Sequence, residues 1–244
     1  MGFKPVSQTY PYVKWLLYGH GGSGKTRLAA GAPKPVWLDS ENSTETLRSM
    51  GPPFSEIPTK KMRDYHDPDL IIKDVERLIK SPLCDTIVLD SATTQLYSFM
   101  GAYVRYEYSK PRSKRTDPYK RFEADWGHAT DVFTDLFVML ADAPIHVILI
   151  GHERIYRSEE PEDKGKITEI VPDVTPRLRD AVTRLVNVVS YLQSIPNPTG
   201  PARRRLYLNP TSIIESKNRY DIQETCIENP SWDNIFGKVL SNHG

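Results

Sequence analysis

Residues 15–26 read WLLYGHGGSGKT, an apolar run that breaks into a glycine-rich loop. The second part, residues 19–26, fits the pattern G-x-x-x-x-G-K-T, in which backbone N–H groups surround the phosphates of a nucleotide. The pattern places Lys25 at the β- and γ-phosphates and the hydroxyl of Thr26 on Mg²⁺. We therefore predict a site for ATP and Mg²⁺. The residues assigned to the nucleotide are Gly19, His20, Gly21, Gly22, Ser23, Gly24, Lys25, Thr26 and Arg27.

The flanks of this loop predict a strand before it and a helix after it. Residues 14–18 resemble a buried strand, and a helix over 25–30 would end at the Gly-Ala-Pro sequence of 31–33. Apolar runs predict further strands at 35–39, 86–91 and 144–151, and helical spacing predicts helices at 67–80, 92–109, 119–140 and 174–189. Strands that alternate with helices indicate an α/β fold, a mostly parallel sheet flanked by helices on both faces.

The C-terminal part predicts short strands of a different kind. Residues 188–192, 205–208 and 212–215 are joined by turn-rich sequence, so we expect antiparallel edge strands. Residues 153–173 are polar and acidic, and they predict a mobile loop or hairpin. Residues 1–12 are interpreted as an N-terminal extension, and the whole chain, 1–244, as a single domain.

Composition excludes several classes of protein. The 244 residues carry a formal net charge of +1, which by itself indicates no class of partner. The two cysteines, Cys84 and Cys226, are far apart and have no histidine cluster nearby, so neither a disulfide framework nor a zinc site is predicted. Residues 1–10 lack a secretory signal pattern, and no apolar run is long enough to span a bilayer. We expect a soluble, cytoplasmic protein without a membrane partner.

Acidic residues stand at the ends of two predicted strands. Asp90 follows four apolar residues and has the position of the carboxylate that holds Mg²⁺ in proteins with this loop. Glu41 comes just after the strand at 35–39, where a carboxylate would orient or deprotonate an attacking water. Asp39 is the competing candidate for that role. All three acids are expected at the carboxyl edge of the sheet, where ligands bind.

Four segments, in the expected order, resemble RecA-like ATPases. The LDSE of 38–41 resembles the segment whose glutamate activates water, and the VLDS of 88–91 resembles the Walker B strand. The LIGH of 149–152 resembles the strand whose polar side chain senses the γ-phosphate, which implies that role for His152. The ESKNRY of 215–220 is similar to the K-x-R element of DnaB helicases and bacterial RadA, although Asp221 follows where relatives often have Gly.

The resemblance implies a site that is shared between subunits. In RecA-like relatives the Lys and Arg of the K-x-R element reach the nucleotide of a neighbour, which implies a homo-oligomer, ring or filament, with Lys217 and Arg219 acting in trans. The catalytic set is then Lys25, Glu41, His152, Lys217 and Arg219. The compact length is most similar to phage-encoded annealing and recombination ATPases of the Sak-four type, AAA-type nucleotide-binding proteins, which implies the cytoplasm of a host cell.

Residues 101–127 interleave basic and aromatic side chains. Cations that neutralise phosphates beside aromatic rings that stack on bases are typical of a surface for single-stranded DNA. We predict that three cations contact phosphates: Arg112, Lys114 and Arg115. We predict that three tyrosines stack on bases: Tyr106, Tyr108 and Tyr119. The alternative is a solvated helix end whose aromatic residues face the core. Residues 203–205, three arginines, are a second and less diagnostic basic cluster.

These patterns together predict a Mg²⁺-dependent ATPase that binds single-stranded DNA and promotes annealing or recombination. A single-strand binding protein is a further candidate partner. Three alternatives stay open: a helicase-related motor or accessory factor, a nucleotide-gated assembly protein that binds no DNA, and a small-molecule kinase. The kinase is the least favoured, because the acidic segment 153–173 does not resemble an arginine-rich lid.

Overall fold

The apolar runs around the glycine-rich loop form strands that are buried from end to end. The computed structural model describes residues 11–61, 68–174 and 176–241, with the side chains of 68, 69, 93, 176 and 177 excepted. Most of the extension predicted at 1–12, and the segment 1–10 considered as a signal sequence, lie outside the described residues.

The strands and helices alternate along most of the chain, as the hydrophobic pattern predicts. The strands are β1 (Lys14–Tyr18), β2 (Pro35–Asp39), β3 (Thr59–Lys61), β4 (Thr86–Asp90), β5 (His146–Gly151), β6 (Glu153–Arg157), β7 (Ile167–Pro172), β8 (Val188–Ile195), β9 (Arg203–Tyr207), β10 (Lys217–Asn218) and β11 (Cys226–Glu228). The helices are α1 (Lys25–Ala29), α2 (Thr44–Met50), α3 (Pro68–Ile79), α4 (Ala92–Ser109), α5 (Glu123–Asp142), α6 (Pro176–Leu185) and α7 (Trp232–Ser241).

One mixed sheet carries the fold. Its strand order is β11-β9-β8-β1-β5-β4-β2-β3, with β10 also paired to β8. The pairs β3–β2, β2–β4, β4–β5, β5–β1 and β1–β8 are parallel. Strands β9, β10 and β11 are antiparallel to their partners. The predicted fold class, a mostly parallel sheet with antiparallel strands near the C-terminus, is confirmed. Strand β5 lies between β1, which leads into the glycine-rich loop, and β4, which ends at Asp90.

Helices cover both faces of this sheet because successive strand residues point to opposite sides. Leu16 and Tyr18 of β1 pack into a core with residues of α3, α4, α5 and α6. Trp15 and Leu17 face the other way and pack with residues of α1, α2 and α7. Each large apolar side chain that is fully buried in this way contributes roughly 1.5–3 kcal/mol to stability. The resulting three layers hold the strand ends, and the loops that follow them, in fixed positions.

Several boundaries differ from the sequence-based expectations. The strand expected at 212–215 is absent, since Ile214 makes only an isolated bridge to Ile170, and the chain pairs instead at Lys217–Asn218. Helix α5 begins at Glu123 and not at 119, because the carboxylate of Asp125 accepts the N–H of Phe122 and caps the helix there. Residues 153–173 form the hairpin β6–β7. Among the described helices, none is both long and apolar enough to cross a membrane.

Candidate active site

The carboxyl ends of the central strands bring their following residues to one edge of the sheet. There the loop after β1, the turn after β2, the end of β4 and the residue after β5 surround a cleft of about 460 Å³. Lys25, Thr26, Glu41, Asp90 and His152 all line it. Residues from four separate parts of the sequence therefore line one cleft, as the parallel topology requires.

The glycine-rich loop keeps its shape through close backbone contacts. Gly19 has φ 156°, and a Cβ at this position would overlap the carbonyl oxygen of Leu192 in β8. The ammonium of Lys25 donates to the carbonyl oxygens of Gly19 and His20, both at 2.8 Å. Burial lowers the pKa of Lys25, although Asp90 and Glu41 oppose the shift. The lysine is thereby held, as a buried cation, inside the loop that surrounds it.

The remaining loop residues fall into buried and exposed groups. Ser23 is buried, whereas Gly21, Gly22 and Arg27 are exposed. The ring of His20 is 80% exposed, and its Nδ1 lies 3.2 Å from the carboxylate of Glu153 at the start of β6. This contact joins the loop to the hairpin β6–β7.

Thr26 and Asp90 form an oxygen-lined position next to Lys25. The hydroxyl of Thr26 donates to Oδ2 of Asp90 at 3.0 Å, and Asp90 is only 3% exposed. Burial raises the pKa of Asp90 to about 6, with smaller contributions in the same direction from Glu41 and Asp39. A hydroxyl and a buried carboxylate are hard oxygen ligands of the kind that Mg²⁺ takes. The residues present therefore fit Mg²⁺, which would also relieve the crowding of negative charge.

Glu41 is held by three side chains, one that follows β5 and two at the start of α4. Nε2 of His152 lies 2.8 and 2.9 Å from its two carboxylate oxygens. The hydroxyls of Ser91, at 2.5 Å, and of Thr94 donate to Oε1. Burial alone would raise the pKa of Glu41, but hydrogen bonds from His152, Ser91 and Thr94 outweigh it and hold the pKa at about 2. The hydrogen bond between Glu41 and His152 raises the pKa of His152, against the effect of burial.

Asp39, the competing candidate for the catalytic base, has a different set of partners. Its carboxylate accepts the backbone N–H groups of Glu41 and Ser43 and the ammonium of Lys61, the last at 2.7 Å. Burial alone would raise its pKa, but these hydrogen bonds hold it below the ordinary value. Asp39 therefore fixes the turn that presents Glu41 to the cleft.

Arg204 lines the same cleft and did not belong to the predicted nucleotide site. It is the central arginine of the cluster 203–205, on β9, and its Nε donates to the carbonyl oxygen of Ser23 at 3.2 Å. The basic cluster was visible in the sequence, but only the pairing of β9 with β8 brings this arginine to the loop.

Lys217 and Arg219 lie away from the cleft of their own chain. Strand β10 pairs with Val188 and Val189, at the opposite end of β8 from the glycine-rich loop. The ammonium of Lys217 donates to the carbonyl oxygens of Thr183 and Val186, at 2.5 and 2.9 Å, and Nη2 of Arg219 to that of Arg184 at 3.2 Å. Lys217 thus binds the last carbonyl groups of α6. The catalytic role of both residues in trans stays a prediction.

The basic aromatic segment is largely on the surface. Tyr119 is 75% exposed and Tyr108 is 42% exposed, beside exposed Arg112 and Lys114. Tyr106 is partly buried, with the ammonium of Lys110 over its ring at 4.7 Å. Arg115 differs from the other predicted phosphate ligands, because its guanidinium forms an ion pair with the buried carboxylate of Asp125. The predicted DNA contact by Arg115 would have to compete with this pair.

Comparison with protein families finds one match that spans most of the chain. The model of a family described as an AAA domain matches residues 12–220. Comparison with curated proteins finds no match.

Comparison with solved structures finds matches at low sequence identity. A KaiC-like protein from Pyrococcus horikoshii OT3 has 15% identity and a TM-score of 0.49, over 90% of this chain and 85% of that one. The flagellar accessory protein FlaH from Methanocaldococcus jannaschii has 8% identity and a TM-score of 0.38, over 90% of both chains. An ATPase of the type III secretion system of pathogenic bacteria has 13% identity and a TM-score of 0.41, over 74% of this chain and 52% of that one.

Proposed function

The chain belongs to the AAA domain family and is a P-loop ATPase, and we propose that it is a Mg²⁺-dependent enzyme that binds single-stranded DNA and promotes annealing or recombination. The observation that carries the ATPase chemistry is the convergence of Lys25, Thr26, Asp90 and Glu41 on one cleft. The DNA role rests on the exposed basic aromatic segment and on the resemblance to phage-encoded proteins of the Sak-four type.

The residues that would hold the nucleotide follow from the loop. Backbone N–H groups of residues 21–26 and the ammonium of Lys25 would bind the phosphates. Thr26 and Asp90 would hold Mg²⁺, which supplies positive charge to the phosphates when bound. Among the described residues no three His, Cys, Asp or Glu side chains converge to form a metal cage. This fits a Mg²⁺ ion that takes its other ligands from phosphates and water, which is its usual mode of binding.

Glu41 is the residue that would orient the attacking water. Its Oε1 accepts the hydroxyls of Ser91 and Thr94, whereas Oε2, among the described residues, accepts only from His152. A carboxylate oxygen has two lone pairs, so Oε2 retains one that can accept a proton from water. Because the pKa of Glu41 is about 2, the group is ionised at neutral pH. It orients water as a carboxylate, and it becomes a stronger base when its hydrogen bonds lengthen.

The exposed tyrosines support a surface for single-stranded DNA. A ring that faces solvent gains little for folding, and it can stack on a base without regard to sequence. Tyr108 and Tyr119 are such rings, and the exposed cations Arg112 and Lys114 lie in the loop between them. The alternative is that the aromatic residues of this segment face the core. It fits Trp126, which packs against Tyr97, better than it fits Tyr119.

The proposal is tested by fluorescence anisotropy of a labelled oligonucleotide, with and without Mg²⁺ and ATP, together with an assay of ATP hydrolysis. We expect saturable binding of single-stranded DNA that weakens as salt is raised. The Lys25→Ala variant should lose ATP binding, because it removes the cation at the β- and γ-phosphates. ATP hydrolysis without any DNA binding at low salt would support the assembly protein instead. Unchanged ATP affinity in Lys25→Ala would overturn the nucleotide site.

A further inference from the structure

Arg204 stands at the mouth of the glycine-rich loop. Its Nε donates to the carbonyl oxygen of Ser23, and a Cβ at Gly24 would overlap its side chain. Gly24 has φ 101°, a backbone conformation that favours glycine in any case. The loop therefore has two reasons to carry glycine at this position, its turn and the close approach of the arginine. The guanidinium is therefore in contact with the loop that is predicted to surround the phosphates.

The backbone of Arg204 is fixed from outside the cleft. Its N–H donates to Oδ1 of Asn229 at 3.2 Å, and its carbonyl oxygen accepts the N–H of Asn229 at 2.7 Å. Strand β9 also pairs with β8, which runs beside β1. Arg204 is thus presented to the loop by a rigid part of the sheet, and not by a free surface loop.

Arg204 differs from the neighbouring Arg205 in its ion pairs. Arg205, the next residue on β9, forms an ion pair with Glu228 at 2.6 Å. No ion pair within the described part of the chain includes Arg204. Instead, the cleft holds Lys25 and Arg204 together, and Arg27 lines it as well. The cleft also holds the carboxylates of Glu41 and Asp90. A polyvalent anion that binds beside Lys25, Arg27 and Arg204 would be attracted by all three cations.

We propose that Arg204 binds the polyphosphate of the nucleotide from within the same chain, as a second fixed cation beside Lys25. This inference rests on the proposed ATP site and extends it by one residue. An arginine presents five N–H donors in a planar fork, so it can bind phosphate oxygens while Nε keeps its bond to Ser23. Arg204 differs in this respect from Arg219, whose proposed role is on a neighbour's nucleotide.

The test measures binding of ATP and of inorganic tripolyphosphate, each with Mg²⁺, by calorimetry. Arg204→Gln keeps a donor for Ser23 and removes the charge, so we expect the affinity for both ligands to fall roughly 10- to 100-fold. Arg205→Gln is the matched control and should leave both affinities unchanged, because successive residues of a strand point to opposite faces. Melting without ligand checks that each variant is folded.

Each other outcome contradicts the inference. If Arg204→Gln binds both ligands with wild-type affinity, the arginine does not contact phosphate. If ATP binding weakens but tripolyphosphate binding does not, Arg204 contacts the nucleoside. Should Arg204→Gln fail to fold, Arg204→Lys retains the charge without the fork, and an unchanged affinity for tripolyphosphate in a high-salt series would then contradict a fork contact. Loss of ATP binding in Lys25→Ala with none in Arg204→Gln would refute this inference alone and leave the proposed function standing.

Discussion

The two acids at the carboxyl end of β2, Asp39 and Glu41, differ in what their oxygens contact. Asp39 is fully buried and accepts Lys61 and two backbone N–H groups, so its carboxylate serves the turn itself. Glu41 is partly exposed and lies against His152 at the edge of the cleft. A residue that is needed for folding and a residue that is needed for chemistry should respond differently to the loss of one charge.

We expect Glu41→Gln to bind Mg²⁺ and ATP but to hydrolyse ATP about a hundredfold more slowly, because the amide keeps the shape and loses the base. Single-turnover hydrolysis and calorimetry measure the two effects. Asp39→Asn is the control, and it should lower the melting temperature, because the buried contact with Lys61 loses its charge. The roles are reversed if Asp39→Asn is slow at unchanged stability and Glu41→Gln is not.

The pair of Glu41 and His152 also predicts a pH dependence of stability. The pKa of His152 is raised above its ordinary 6.5, so its contribution is complete below that pH and is lost as pH rises through the raised value. The pKa of Glu41 is lowered from 4.5 to about 2, so its contribution is complete above 4.5 and is lost as pH falls through about 2.

The excess stability of the wild type over His152→Ala should therefore be greatest between about pH 4.5 and 6.5 and should decline on both sides. Urea unfolding at a series of pH values measures it. The difference is expected to be modest, because His152 is 36% exposed and solvent screens the pair. A difference that stays constant from pH 5 to 9 would show that the pair is not ionic.

At the scale of elements, apolar runs predict the strands well, whereas the sequence does not predict the more polar elements. β1, β2 and β4 were expected almost to the residue, because a buried strand needs an unbroken apolar run. β3 reads TKK, and only its pairing with β2 makes it a strand. α2 buries a single residue, Leu47, so it has no helical period to detect.

α7 was missed although its pattern is present in the sequence. Trp232, Ile235 and Phe236 are buried at helical spacing, and Ser231 accepts the N–H of Asn234 at the start of the helix. A serine followed by this spacing is an ordinary helix beginning. The sequence therefore contains enough to predict this helix.

The candidate site could be assembled from strand ends, but not completely. Asp90 lies at the end of a predicted parallel strand, and Lys25, Thr26, Glu41 and His152 come after such strands. The carboxyl ends of these strands meet at one edge of the sheet. Arg204 sits on an antiparallel strand whose register no local pattern specifies. Contacts between distant strands are the part of the site that the sequence alone leaves open.

The cations of the segment between α4 and α5 should differ in their effect on DNA binding. Arg112 and Lys114 are exposed, so Arg112→Ala with Lys114→Ala should reduce the log–log salt dependence of single-stranded DNA binding by roughly 0.7 per contact. Tyr119→Ala should cost about 1–3 kcal/mol of binding free energy and leave the slope unchanged. Anisotropy titrations at several salt concentrations measure both.

Arg115→Ala should behave as a structural change, since Arg115 pairs with Asp125 at the start of α5, and its melting temperature should fall. A control double variant, Arg77→Ala with Lys80→Ala, removes two exposed cations from the region of α3. If this control weakens DNA binding as much as the Arg112 and Lys114 pair does, the attraction is a property of overall charge. Wild-type affinity and slope in the Arg112 and Lys114 variant would exclude the segment as the DNA surface.

At the scale of the whole molecule, the cleft and the K-x-R element occupy opposite ends of the sheet. Tyr18, which leads into the loop, pairs with Tyr191 of β8, whereas Lys217 and Asn218 pair near the other end of that strand. If Arg219 acts on ATP, the nucleotide therefore belongs to another subunit. Contact between one end of a subunit and the opposite end of the next is a heterologous interface, which builds rings or filaments.

Mixing two inactive variants tests this arrangement. Arg219→Ala keeps its own loop but lacks the cation, whereas Lys25→Ala lacks the loop lysine but supplies Arg219 to a neighbour. Arg219 is preferable to Lys217 here, because the side chain of Lys217 donates to three carbonyl groups at and just after the end of α6, whereas that of Arg219 donates to one. Loss of Lys217 should therefore destabilise the fold more. Each variant alone should lose roughly a thousandfold or more in ATP turnover. At equal mixing about one quarter of interfaces join an intact loop to an intact arginine, so activity should partly return.

A double variant, Lys25→Ala with Arg219→Ala, mixed with Arg219→Ala should give no recovery. No recovery in the first mixture at any ratio, with mixed assembly confirmed by light scattering, would show that Arg219 does not complete a neighbour's site.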